Sequence, residues 1–386
     1  MNKVVDTRPR ALLVTRNFPP LVGGMEKVNR HLVTALASEW RVLLCGPRGC
    51  REFVPADAIV AETAIKPLPS FLLWSALKAT WLARKHRPLL VIAGSGLTAP
   101  AAWLAARFVG ARLAVYLHGL DIIAPSWIYQ RFWLPFIRAC DLVVVNSENS
   151  GRLARERGVA SQRIAVLHPG TLVPDLNPSA GIAFRTRQAC AGRPILLTVG
   201  RLTRRKGLAE FVAKAMPGIV ERCPDVLLVV IGEEASDALH GGPGGERDRI
   251  QASAKFAGVA GNMIFLGSCD ESTLGAAYQA ADCHVFPVLA LPGDVEGFGM
   301  VALESAAHGL PTVAFAVGGV SDAVAEPGSG FLVSAGNYDK FRDAVLCVLD
   351  QRNSKLMVNS CRAFAAEKSW DRFGERLRLL VRGLRG

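Results

Sequence analysis

Short runs of Val, Leu, Ile and Ala, each closing on glycine or a polar loop and each followed by a helical pattern, recur through this chain of 386 residues and leave it few folds. The first set is Arg10–Thr15, Arg41–Leu44, Leu89–Ala93, Leu113–Leu117, Leu142–Val145 and Ile164–Leu167. The second is Ile195–Val199, Val226–Ile231, Met263–Phe265, Cys283–Phe286, Thr312–Phe315 and Phe331–Val333. Runs that are apolar throughout suit strands covered on both faces, and the helices between them supply the crossovers that parallel pairing requires. Each set predicts a doubly wound parallel sheet, with ligands beyond the carboxyl ends of its strands. The polar, Pro- and Gly-containing stretch Pro174–Pro194 separates the two sets. The expected organisation is a Rossmann-like domain over 1–182, a second over 183–368, and a basic terminal helix, 369–386, packing back on the first.

Composition narrows the classes. No uninterrupted apolar run reaches the ~18 residues of a membrane span. The start, Met1-Asn2-Lys3 with Asp6, Arg8 and Arg10, leads into a strand rather than a signal sequence, which predicts a cytoplasmic, non-spanning chain. Nine cysteines, scattered and never in a C-x2-C pair, suggest neither a disulfide framework nor a zinc site. The net charge of +12 is unevenly spread: residues 1–182 hold 22 Lys and Arg against 11 Asp and Glu, whereas the remainder hold 23 against 22. A basic first half predicts an anionic neighbour there, whether membrane lipid, nucleic acid or phosphorylated substrate.

Chemistry-bearing residues gather at strand ends. The first strand runs into Asn17-Phe18-Pro19-Pro20-Leu21-Val22-Gly23-Gly24 and then a helix; this loop lacks G-x-G-x-x-G, which disfavours NAD and FAD. His118-Gly119-Leu120-Asp121 follows another strand, the place for a chemically used histidine, although a lone His is as often structural. In the second half, Gly200-Arg201-Leu202-Thr203-Arg204-Arg205-Lys206-Gly207 follows a strand, and Arg204 and Arg205 read as solvated loop cations. Glu296-Gly297-Phe298-Gly299-Met300-Val301-Ala302-Leu303-Glu304 sets two carboxylates around a Gly-x-Gly turn that opens a helix. Free backbone N–H groups at a positive helix end make a place for phosphate, and the acids beside it suit sugar hydroxyls. The spacing alone also admits a plain loop and helix with Glu304 as a solvated first-turn acid.

These motifs together resemble the retaining nucleotide-sugar glycosyltransferases of family 4 (group 1), which include bacterial mannosyl- and glucosyltransferases of glycolipid and polysaccharide assembly. The most specific part is Glu296 to Glu304, continued by Ala306-Ala307-His308-Gly309-Leu310-Pro311-Thr312-Val313-Ala314 and Val317-Gly318-Gly319-Val320. Gly200-Arg201-Leu202 with Lys206-Gly207 is the second signature, and the likeness covers nearly the whole chain. It implies the GT-B fold, an α/β architecture of two Rossmann-like domains facing a cleft. It further implies that Glu304 holds the nucleotide ribose and Glu296 the donor sugar. The N–H groups of Phe298, Gly299 and Met300, with Arg201 and Lys206, meet the diphosphate. Gly23 and Gly24 match the glycine loop that closes over diphosphate and acceptor, and His118 a histidine near the donor sugar. Transfer would retain stereochemistry, a donor phosphate oxygen taking the acceptor's proton, with neither metal nor cofactor.

The partners implied are a nucleotide-diphosphate sugar, GDP-mannose or a related GDP-deoxyhexose ahead of UDP-sugars, and a glycan or lipid-linked acceptor of polysaccharide, lipopolysaccharide or glycolipid assembly. Leu68–Arg87 sets Trp74, Leu77 and Trp81 on one helical face beside Arg84, Lys85 and Arg87, and Trp127–Arg138 is again aromatic and basic. Such helices either pack on the sheet or lie in an anionic membrane interface, and the basic first half favours peripheral attachment at the inner face of the cell membrane. A sugar phosphorylase or an epimerase fits the motifs less well. A nucleic-acid binder would explain the charge but not the second-half motifs, and a non-catalytic nucleotide-sugar sensor is the remaining alternative.

Overall fold

The computed structural model describes residues 7–234, 245–352 and 354–384. Of the loop expected over Gly241–Gly245, only Gly245 lies within them. The chain forms two compact units: Met1–Gly170 with Trp370–Gly386, and Thr171–Ser369. The division falls earlier than the 182/183 boundary read from the sequence because the helix Pro178–Arg187 belongs to the second unit. It buries Phe184 there and packs on the helix Glu271–Ala280, where a side chain on Gly181 would stand 2.9 Å from the Gln279 carbonyl.

The first unit holds seven strands: β1 Arg10–Val14, β2 Arg41–Pro47, β3 Ile59–Thr63, β4 Leu90–Ala93, β5 Arg112–Leu117, β6 Leu142–Val145 and β7 Ile164–Val166. The second holds β8 Ile195–Val199, β9 Leu227–Ile231, β10 Met263–Gly267, β11 Cys283–Phe286, β12 Thr312–Phe315 and β13 Gly330–Val333. Every pairing is parallel, in the orders β3-β2-β1-β4-β5-β6-β7 and β10-β9-β8-β11-β12-β13. Both sheets are therefore doubly wound. Each reverses its winding once, between β1 and β4 in the first unit and between β8 and β11 in the second, and at such a reversal the loops leaving the two strands part to leave a crevice.

The inner strands β4, β6, β9 and β11 are buried along their whole length, as their unbroken apolar runs require. The segment read as one helix over 208–222 is two, Leu208–Lys214 and Met216–Arg222, because Pro217 lacks the N–H that a continuous helix would use. The helix Trp370–Gly383 packs on α1 (Gly24–Ala37), burying Phe373, Leu377 and Val381 and stacking Trp370 on His31 with ring centroids 3.8 Å apart.

Candidate active site

In the second unit the motif residues converge on the β8/β11 reversal. The turn after β8 carries Arg201 and Lys206, and the loop after β11 carries Glu296. The two loops are fitted at backbone level. A side chain on Gly207 would lie 2.0 Å from the Pro287 carbonyl, and the Leu289 N–H donates to the Arg205 carbonyl at 2.8 Å. That contact brings Lys206 against the second loop. Its ammonium donates to Glu296 Oε2 at 2.9 Å and stands 4.6 Å from the centre of the Phe286 ring.

Arg205 departs from its sequence reading. It is no solvated loop cation: its side chain is mostly buried, Nε pairs with Asp294 Oδ1 at 2.9 Å, and a terminal guanidinium nitrogen donates to the Glu296 oxygen that Lys206 also holds. Arg204 is exposed, as read. Two cations and two carboxylates thus form one compact set. Burial by itself would raise the Glu296 carboxyl, but Lys206 and Arg205 outweigh it and hold it down at about 2. Burial acts the other way on Lys206: with Arg205 and Arg201 nearby, it brings the ammonium below the usual lysine range despite Glu296. Beneath them His284 is fully buried, stacked on Phe286, its Nδ1 against the Thr312 hydroxyl at 3.1 Å; burial first, then Lys206, lower it to about 3.

The Gly-x-Gly turn is shaped by a third loop. Gly319 donates to the Glu296 carbonyl at 2.8 Å, and a Cβ there would fall 1.9 Å from the Gly297 carbonyl oxygen. Gly299 caps the helix Met300–Ala307 with φ 95°, where a side chain would also meet the Phe286 ring at 2.9 Å. The Phe298 side chain is spent in the core at 2 % exposure, so this residue offers a ligand only its main chain. The first turn of the helix begins at Met300; the Ala302 N–H is taken by the Gly299 carbonyl at 2.9 Å, while the N–H groups of Met300 and Val301 have no carbonyl of their own helix to bond. Glu304 sits in the second turn rather than the first, half-buried, and accepts from the Tyr278 hydroxyl at 3.4 Å; Tyr278 in turn stacks on His308.

In the first unit the β1/β4 reversal gathers another polar set. Asn29 of α1 donates to Thr15, to the Asn17 carbonyl and to the Gly94 carbonyl. His118 points its Nε2 at the same Gly94 oxygen, 3.0 Å away, and its main-chain N–H is held by Asp121. Gly23 precedes α1, which opens at Gly24; the buried Glu26 carboxylate accepts from Asn17 and would stand 2.4 Å from a Cβ on Gly23. Gly23, Gly24 and His118 therefore belong to one unit, and Arg201, Lys206, Glu296, Phe298, Gly299, Met300 and Glu304 to the other. Sequence reading missed Asn29, Glu26, Tyr278, Arg205 and Asp294 as site neighbours. Only Asp294, two residues before Glu296 with its acid facing a run of cations in the other loop, carried a local signal.

The aromatic–basic segments resolve toward exposure. On α2 (Leu68–His86), Phe71, Ala79, Leu82 and Ala83 face inward, whereas Leu73, Leu77, Trp74 at 51 % and Trp81 at 55 % are open, with Lys85 over the Trp81 ring at 4.9 Å. Phe108 and Leu104 of the adjoining α3 (Ala99–Val109) are exposed too. So are Trp127, Ile128 and Phe132. No described helix is long and apolar enough to cross a membrane.

Comparison with known proteins gives the family and the fold. Residues 184–368 match the family described as glycosyl transferases group 1, and residues 22–171 match glycosyltransferase family 4. A GDP-mannose-dependent alpha-(1-6)-phosphatidylinositol monomannoside mannosyltransferase of Mycolicibacterium smegmatis is 29% identical over 97% of this chain and 98% of its own. A D-inositol 3-phosphate glycosyltransferase of Corynebacterium urealyticum is 32% identical over 63% of this chain and 57% of its own. Among solved structures, HepE of Anabaena in complex with UDP superposes with a TM-score of 0.78 at 19% identity, covering 97% of this chain and all of the other, so the fold is GT-B.

Proposed function

The chain belongs to the group 1, family 4 glycosyltransferases, and on that premise we propose that it moves a hexose, mannose or a related deoxyhexose, from a GDP-sugar to a glycan or lipid-linked acceptor with retention of configuration. The observation that carries this reading is the Lys206–Glu296 pair beside the Met300–Ala307 helix start at a winding reversal. It sets an anion-binding helix end, a cation and a sugar-sized hydrogen-bond acceptor next to one another. Arg201 and Lys206 neutralise the charge that grows on the diphosphate as the glycosidic bond breaks, the largest electrostatic task of the step. They do so without calling on a metal. Glu304 accepts from the ribose hydroxyls and Glu296 from the sugar, and the family resemblance assigns His118 to the donor sugar as well. The Mycolicibacterium relative, matched end to end, supports GDP and mannose.

The donor base is tested by thermal shift with GDP, UDP, ADP and dTDP. Stabilisation by GDP is expected, and stabilisation by UDP alone overturns the donor assignment. The open aromatic face of α2, flanked by Arg84, Lys85 and Arg107 that are themselves exposed, supports a second element of the reading: peripheral contact with anionic lipid, aromatics in the interface and cations on headgroups, where a lipid-linked acceptor is presented.

A further inference from the structure

We propose that Arg205, braced by Asp294, is the positioning residue for Glu296: it holds that carboxylate in its sugar-facing place when Lys206 is drawn away to the donor diphosphate. The proposal rests on the reading that Glu296 meets the donor sugar. In the structure Lys206 and Arg205 hold the same oxygen, Glu296 Oε2, so either cation can hold it without the other. Only one of the two is suited to turn to a phosphate. Lys206 is a single ammonium on a flexible stem, and a diphosphate competes for it directly. Arg205 is a planar fork paired with both acids of the loop, a terminal nitrogen donating to Glu296 and Nε in an ion pair with Asp294 Oδ1 at 2.9 Å that is not aligned as a hydrogen bond. Its main-chain carbonyl is also bound by the Leu289 N–H, which fixes where the side chain starts.

Asp294 supplies what makes the brace work. It stands two residues before Glu296 on the same loop, and its side chain is as buried as its partner's. Arg205 therefore grips the loop at two points, which sets the direction of the Glu296 side chain as well as its charge. The groups acting on Glu296 are Lys206 and Arg205 from the turn after β8, with Asp294 of its own loop paired to Arg205; Arg201 acts on Lys206, and His284 beneath is lowered by Lys206 in turn. Burial pushes the Glu296 carboxyl up and only these cations pull it down, so with Lys206 engaged elsewhere the ionised state depends on Arg205.

The test is calorimetric titration of the full-length protein with GDP and with GDP-mannose, from pH 5 to pH 8, for the wild type, Arg205→Gln, Arg205→Lys and the double variant Arg205→Gln/Asp294→Asn. Hydrogen bonds to charged groups suggest a loss of about 10-fold or more in GDP-mannose affinity for Arg205→Gln with GDP affinity changed less than about twofold. The loss should deepen toward pH 5, because the unbraced carboxyl takes up a proton in that range, while the wild type stays flat. Arg205→Lys should restore part of the affinity, since one ammonium cannot serve both acids. If Arg205→Gln does not fold, the double variant keeps the site's charge balance and must show the same separation. Equal loss for both ligands, or none for either, overturns the proposal. A wild type that binds UDP and a UDP-sugar instead of the guanine pair overturns the donor assignment, and the same comparison with that pair still decides the role of Arg205.

Discussion

Glu304 and Glu296 bracket one turn, yet they stand in different surroundings, in keeping with the separate roles we propose for them. Glu296 is locked between two cations, whereas Glu304 accepts from the Tyr278 hydroxyl, a neutral donor. Glu304→Ala is therefore expected to weaken GDP binding by about 10- to 100-fold, the worth of hydrogen bonds to a charged acceptor, and Glu296→Ala to leave bare GDP within a few fold while reducing GDP-mannose binding. Equal loss of GDP affinity in titrations of the two variants contradicts the division. His284 makes a second prediction. Its folded pKa of about 3 lies below the unfolded value of 6.5, so its contribution to stability is complete above pH 6.5 and is lost as pH falls from there toward 3. Urea unfolding should show falling stability between pH 6.5 and 4, and His284→Phe should lower the slope by up to about one proton's worth. The Gly-x-Gly turn and the Arg201/Lys206 spacing were legible in the sequence because each is a local device. Arg205 was not: its partner Glu296 lies 91 residues away, and nothing in a run of three basic residues marks which one turns inward.

At the scale of elements, the strands that carry the sites were readable because unbroken apolar runs have one outlet, burial on both faces. β3 escaped because Ile59-Val60-Ala61-Glu62-Thr63 is an edge strand, half-buried and ending in polar residues, with no strong period of its own. α2 shows the limit of periodicity from the other side. The face carrying Trp74, Leu77 and Trp81 reads equally as core or as interface until neighbouring elements are in place, and the structure puts it outside. Trp74→Ser/Trp81→Ser is accordingly expected to shift the unfolding midpoint little, since both rings are already half in water. It should cut sedimentation with phosphatidylglycerol vesicles several-fold, given ~1.5–3 kcal/mol for each large apolar side chain removed from the interface. Unchanged vesicle binding would remove the aromatic face from the membrane reading.

The whole molecule is an insertion: the second unit interrupts the first, which resumes at Trp370. The returning helix is integral to the first unit. Phe373, Leu377 and Val381 are each about 2 % exposed, and a side chain on Gly170 would stand 2.7 Å from the Trp370 nitrogen. Burial of three such side chains is worth ~5–9 kcal/mol, comparable with the ~5–15 kcal/mol by which a domain is stable at all. A chain ending at Ser369 should therefore lose the first unit's calorimetric transition, or show it at much lower temperature, and keep that of the second unit along with GDP-induced stabilisation. Loss of both transitions together would show that the units do not fold independently.

That connectivity also sets an order of synthesis. A ribosome releases α1 early, but the helix that covers it emerges only after every residue of the second unit has been made. The second unit can fold while the chain is still growing, whereas the basic, aromatic-faced first unit waits, incomplete, until Trp370–Gly383 has been made. The unit whose open aromatic face we propose for a lipid surface is thus completed only after the unit that carries Lys206 and Glu296.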